Sequence, residues 1–177
     1  AATERLAQAE KDGSKKADLW VRAGKILEDR GDKDRAIERY KHALDADKKN
    51  LSAFAALRSI YAGRGDAHGA AELLTREIEA TDGAISKAKL HVELGLLARE
   101  RLAEPSRAKD AFTAALQLDP TATVAARNLG EMAYENGDLA AAVKFLEPLL
   151  ARTTEMTRDD ARIVSVLTGD AFRKLSQ

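Results

Sequence analysis

The sequence has 177 residues, with 29 Lys+Arg balanced by 29 Asp+Glu, no cysteine and 45% hydrophobic residues. A chain of this length and apolar content buries a sizeable core in one or two domains, which excludes intrinsic disorder. Zero net charge argues against nucleic-acid binding and a polybasic membrane surface, and the lack of cysteine excludes disulfides, thiolate nucleophiles and Cys-based metal sites.

Alanine is about a fifth of the chain, and Leu, Glu, Lys and Arg supply much of the rest. These residues lose little side-chain freedom in a helix. No stretch alternates apolar and polar residues long enough to read as a strand. The predicted fold class is all-α with about ten helices. In chain order they are expected near 2–11, 17–30, 33–46, 51–63, 67–80, 86–101, 105–118, 122–136, 138–151 and 158–175. Pro105 is placed to open a helix, because its missing N–H would be unpaired there anyway. Pro148 falls inside the 138–151 helix, where it should remove a backbone bond and bend the axis. No apolar run approaches the roughly 20 residues of a bilayer span, so direct membrane insertion is not expected.

Three of the connections share a dipeptide: Gly31-Asp32, Gly65-Asp66 and Gly137-Asp138. Such a turn needs a left-handed residue after one helix and an acceptor for the orphan N–H groups of the next. The first two glycines are 34 residues apart, and the third lies 72 further on. Ala36, Ala70, Ala108 and Ala142 are spaced by 34, 38 and 34. Ala23-Gly24, Leu57-Arg58, Leu94-Gly95 and Leu129-Gly130 are spaced by 34, 37 and 35. Both sets place about three extra residues between 81 and 87 and one more in the turn at 102–106.

These residues resemble the tetratricopeptide repeat, in which a large residue, Leu-Gly, a turn, a small Ala, an aromatic and Asp-Pro recur. Repeat 17–50 carries Trp20, Ala23-Gly24, Leu27, Gly31, Ala36, Tyr40 and Ala43. Repeat 51–84 carries Phe54, Leu57, Tyr61, Gly65, Ala70 and Leu74, and departs from the pattern at Arg58 and Glu77, where small residues are usual. Repeat 88–121 carries His91, Leu94-Gly95, Ala98, Ala108, Phe112, Ala115 and Asp119-Pro120. Repeat 123–156 carries Ala126, Leu129-Gly130, Gly137, Ala142 and Leu146. Residues 1–16 read as the second helix of a truncated repeat (Ala2, Leu6, Ala9), and 157–177 as the first helix of another. The resemblance implies a single right-handed superhelical solenoid of antiparallel helix pairs. Small positions let its helices approach, and large ones, Phe145 among them, fill the space between. Without an initiator Met and with half-repeats at both ends, the chain is expected to be a segment of a longer array, able to associate end to end.

In this family the first helices line a concave groove that receives peptides or partner domains. Carried over by position, that groove comprises Asp18, Val21, Arg22, Lys25 and Glu28, then Ser52, Ala55, Ser59 and Ala62. It continues with Lys89, Val92, Glu93, Leu96 and Arg99, then Val124, Arg127, Asn128, Glu131 and Tyr134. The family's carboxylate-clamp positions hold Val21, Lys25, Ala56, Lys89 and Glu93; only Lys89 fits, and Glu93 would repel a carboxylate. The remaining mixture of apolar anchors and charged rim suits an amphipathic helix or extended segment.

Catalytic alternatives are weak. None of His42, His68 and His91 has another His at ligand spacing, so no metal or cofactor is expected. Gly63, Gly65 and Gly69 follow a helix rather than a strand and have the wrong last gap for a dinucleotide loop. Carboxylates such as Glu28-Asp29 and Asp159-Asp160 suit solvated faces and caps, and the Lys15-Lys16 and Lys48-Lys49 pairs lack interleaved aromatics for stacking bases. The expected function is therefore a non-enzymatic protein-interaction scaffold. The alternatives are a structural spacer or self-assembling array, or a regulatory region of a larger enzyme. The Ala- and Arg-rich composition suggests a bacterial source; the cytoplasm is the default compartment expected, with the periplasm as the alternative if a segment precedes residue 1.

Overall fold

The computed structural model describes residues 2–177. Its helices are α1 (Ala2–Ala9), α2 (Gly13–Asp29), α3 (Lys33–Ala46), α4 (Leu51–Arg64), α5 (Ala67–Ala80), α6 (Ala84–Glu100), α7 (Pro105–Leu118), α8 (Thr123–Glu135), α9 (Leu139–Leu146) and α10 (Arg158–Leu175). A 3₁₀ segment, Glu147–Glu155, joins α9 to α10, and no strand occurs among the described residues. The all-α expectation holds. No helix among the described residues is long and apolar enough to cross a membrane.

The chain divides into two compact units, Ala1–Asp82 and Gly83–Gln177. In the first, α2 packs on α3 and α4 on α5, with α1 against α2. In the second, the pairs are α6 with α7 and α8 with α9, followed by α10. The division falls where the repeat spacing places its extra residues.

Each Gly-Asp turn has the geometry its chemistry requires. Gly31, Gly65 and Gly137 have φ of 81°, 65° and 77°. Their N–H groups, and those of the following Asp, satisfy the last carbonyls of the preceding helix, as in Asp32 N to Leu27 O at 2.9 Å. The carboxylates of Asp32, Asp66 and Asp138 then accept from the N–H groups of Arg35, Gly69 and Ala141 at 3.3, 2.8 and 3.0 Å. The α6–α7 turn solves the same problem differently: Ala103 adopts φ of 53° and Pro105 opens α7.

Within a pair, a small residue on the first helix receives a large one from the second. A Cβ added at Gly24 would lie 2.7 Å from the Tyr40 ring, and one at Gly95 2.6 Å from Phe112. At Gly130 the neighbour is Leu146. Leu146 is fully buried there, whereas the adjacent Phe145 is half-buried, so the space-filling role expected of Phe145 belongs to Leu146. In the second repeat, the two departures from the pattern compensate each other. Arg58 Nε donates to Glu77 Oε2 at 3.0 Å across the α4–α5 pair.

Four boundaries differ from expectation by two residues or more. α1 stops at Ala9, where the Glu10 carboxylate accepts from the N–H groups of Lys11 and Asp12 at 2.8 and 2.9 Å. α2 begins at Gly13 instead of 17, because the Asp12 side chain caps it by accepting from Lys15 N at 2.9 Å. α6 starts at Ala84 instead of 86. The bend expected at Pro148 is instead a change of helix type: the missing N–H ends α9 at Leu146, and a tighter 3₁₀ winding follows, kinked at Arg152 (φ −117°, ψ 17°) before Glu155.

Candidate functional site

In the second unit α8 lies between α6 and α10, and these three first helices form one wall. Side chains one repeat apart tie it together. Arg99 on α6 donates to Asn128 Oδ1 at 2.8 Å, Glu131 at 2.7 Å and Glu135 at 2.7 Å on α8. Arg127 pairs with Glu131 and, through Nε, with Asp160 on α10 at 3.3 Å. Tyr134 donates its hydroxyl proton to Asp170, and Lys174 donates to the Tyr134 oxygen at 2.7 Å. Arg99–Glu135 and Tyr134–Asp170 each span 36 residues, so α10 sits on α8 in the register by which α8 sits on α6.

The electrostatics follow from these contacts. Lys174, Tyr134 and Arg173 hold the Asp170 carboxyl far below the usual carboxylate range, while Asp170 and Tyr134 raise Lys174. His91 faces the opposite situation: burial, with a smaller contribution from Lys87, lowers its pKa, and its buried Nδ1 has no hydrogen-bond partner.

Two of the clefts on the wall adjoin the groove positions. The larger, about 610 Å³, lies between α8 and α10 and is lined by Arg127, Glu131, Tyr134, Glu135, Arg162, Ile163, Val166 and Leu167. Its floor is apolar; Val166 is 62% exposed. Arg162 on its rim is exposed and makes no ion pair among the described residues. The other cleft, about 350 Å³, lies between α6 and α8 and includes Lys89, Val92, Glu93, Thr123 and Val124.

The structure thus gathers the sequence-derived residues of the second unit onto one wall, but in different situations. Lys89 and Val124 are exposed at the smaller cleft, and Val92 and Leu96 are half-buried against the core. Arg99, Arg127 and Glu131 are consumed by ion pairs, and Asn128 is only 2% exposed, with its Nδ2 donating to the Val124 carbonyl at 2.9 Å. Tyr134 lines the larger cleft with one edge and holds α10 with its hydroxyl. In the first unit, Lys25, Ala55 and Ser59 are exposed, and Val21 and Ala56 pack partly into the core. Sequence reasoning ended the groove at the fourth repeat and so missed Arg162, Ile163 and Val166. They were findable, because the register that placed Val124 and Arg127 in the groove continues into the last helix. Among the described residues, no group of three or more His, Asp or Glu is arranged to hold a metal ion.

Two family profiles, each described as "Tetratricopeptide repeat", match residues 17–50 and 101–167. Among solved structures, the "MamA protein" aligns with a TM-score of 0.58 at 22% identity, covering 90% of this chain and 88% of that one. "YrrB: a TPR protein with an unusual peptide-binding site" aligns with a TM-score of 0.55 at 16% identity, covering 100% and 99%. Identities this low speak for the fold alone. The "Protein CTR9 homolog" of Arabidopsis thaliana is 29% identical over 119 residues, 67% of this chain. The chain spans about a tenth of that protein's length, 11%.

Proposed function

Because the chain belongs to the tetratricopeptide repeat family, we propose that it is a non-enzymatic protein-interaction scaffold whose α8–α10 cleft receives an apolar side chain of a partner segment. The single observation that carries this reading is the 610 Å³ cleft itself, whose accessible floor of Ile163, Val166 and Leu167 adjoins an exposed, unpaired Arg162. Its surroundings are already organised. The ion pairs of Arg99, Arg127 and Glu131 and the Tyr134–Asp170–Lys174 contacts fix both helices, so little ordering is required when a partner binds. A matching segment carries a Leu- or Phe-sized anchor and, one helical turn or two extended residues away, a carboxylate for Arg162. The peptide-binding site named for YrrB supports a peptide ligand as the class. The first-unit positions Lys25, Ala55 and Ser59 add a polar surface for other partner contacts.

The spacer alternative draws on a different observation: most charged wall residues satisfy one another, as expected of a wall that only supports its neighbours. Selection of a displayed random-peptide library on the intact chain separates the two readings. The scaffold reading expects enriched peptides with an apolar anchor near an acidic residue, and loss of their binding in Val166→Glu, an exposed position whose change spares the core. A selection with no enrichment, or peptides that bind Val166→Glu equally well, would favour the spacer.

A further inference from the structure

The chain holds two methionines and no cysteine, so these two thioethers are the side chains that a hydroperoxide oxidises most readily. They sit in unlike places. Met132 on α8 is 7% exposed and packed in the core with Ala98, Phe112 and Leu129. Met156 closes the 3₁₀ segment, directly before Thr157, the N-cap of α10. It is half-buried and packs against Ala126, Leu146, Leu149 and Val164. It also lines a cleft of about 200 Å³, together with Thr123, Val124, Arg127, Thr157 and Asp160. Access at this position does not depend on α10 being the last helix. Thr121 precedes the N-cap of α8 as Met156 precedes that of α10, and it is exposed although α9 and α10 follow it.

We propose that Met156 is a reversible oxidation site whose state switches the anchorage of the 3₁₀ segment. The sulfur lone pair attacks the outer oxygen of a hydroperoxide and the O–O bond breaks. The other oxygen leaves as water or an alcohol with the proton, so sulfur is oxidised and the peroxide reduced. As a thioether the side chain belongs to the apolar cluster. As a sulfoxide it carries a strong acceptor, and the side chains of Ala126, Leu146, Leu149 and Val164 offer no donor, which makes staying there costly. The cleft supplies what the cluster lacks, because the Thr123 and Thr157 hydroxyls and the Arg127 guanidinium line it. The Thr157 oxygen accepts from Asp160 N at 3.1 Å, which leaves its own proton to donate. Oxidation therefore moves the side chain from cluster to cleft. The segment then loses its hold at the end where Arg152 already departs from helical geometry.

The test treats the full chain with hydrogen peroxide, folded and in urea, and follows both methionines by peptide mass spectrometry. The proposal expects Met156 to gain oxygen about tenfold or more faster than Met132 in the folded chain, and the two rates to converge in urea. Chain oxidised at Met156 should then show faster amide hydrogen exchange over 147–157 and a lower urea midpoint, both restored by methionine sulfoxide reductases. Met156→Leu keeps an apolar side chain of similar volume in the cluster and should hold its midpoint through the same peroxide dose. Equal oxidation rates in the folded chain would overturn the proposal. So would an oxidised chain with the exchange and midpoint of the reduced one, or changes that the reductases leave in place. A Met156→Leu chain that loses as much stability to peroxide as the wild type would overturn it too.

Discussion

Gly95→Ala sets two effects of similar size against each other. Alanine is the better helix former, and removing a glycine from a helix interior gains roughly 0.5–1 kcal/mol. The new methyl, however, would sit 2.6 Å from the Phe112 ring. Phe112 is fully buried and packed with Ala98, Ala108 and Ala115, so the ring has no free space to move into. Overpacking of this kind costs about 1–3 kcal/mol, so the net destabilisation lies between roughly 0 and 2.5 kcal/mol, about 1 kcal/mol at mid-range. Gly63→Ala supplies the contrast: it is also helical, but nothing lies within 4 Å of the added Cβ. There the helix gain stands unopposed, and the chain is expected to be stabilised by up to about 1 kcal/mol. Urea unfolding followed by circular dichroism reads both, as shifts of the midpoint in opposite directions at unchanged m. If Gly95→Ala stabilised the chain as Gly63→Ala is expected to, the small-under-large pairing used throughout this account would be refuted.

Other outcomes follow from single sites. Ala103 occupies the left-handed region that glycine takes in the other three turns. Ala103→Gly should relieve about 1–2 kcal/mol of backbone strain against roughly 0.5–1 kcal/mol of added unfolded-state entropy, a small net gain visible as a raised melting temperature; a lowered one would contradict the strain argument. His91 has a folded pKa below its ordinary value, so the folded state binds fewer protons than the unfolded state. Its contribution is complete above the unfolded pKa near 6.5 and is lost as pH falls toward the folded value. His91→Phe should therefore narrow the difference between urea midpoints at pH 7.5 and pH 5, and an unchanged difference would exclude His91 as its source. For Arg58 and Glu77, a double-mutant cycle should give favourable coupling of up to about 1 kcal/mol that weakens with salt. Coupling of zero would mean that the two departures from the repeat pattern are unrelated.

Much of the architecture was legible because tight turns leave few chemical choices. Gly-Asp at three connections and Pro105 at the fourth each satisfy helix ends in a way composition alone cannot hide. Boundaries were less legible where a side chain outside the repeat pattern acts locally: Asp12 starts α2 four residues early, and Glu10 ties the backbone after α1. Pro148 was visible, but the choice between a bent α-helix and a 3₁₀ continuation depends on the packing of Leu146 and Leu149 in the core. Position in the repeat identified the wall residues yet could not separate those committed to it from those open to a partner. Arg99 and Lys89 look alike in sequence. Only the contacts of Arg99 with Asn128, Glu131 and Glu135 show that it is engaged. Arg58 and Glu77 carried a readable signal that single-position comparison misses, since two opposite charges replace two small residues within one helix pair.

The claim that the α8–α10 cleft is the recognition site is tested most directly by nuclear magnetic resonance titration. ¹⁵N-labelled chain is titrated with a peptide selected on it, and amide shifts are mapped by residue. The account expects saturable changes concentrated on Glu131, Tyr134, Ile163, Val166 and Leu167, abolished in Val166→Glu. Shifts centred instead on α7 and α9, with these residues unmoved, would contradict it.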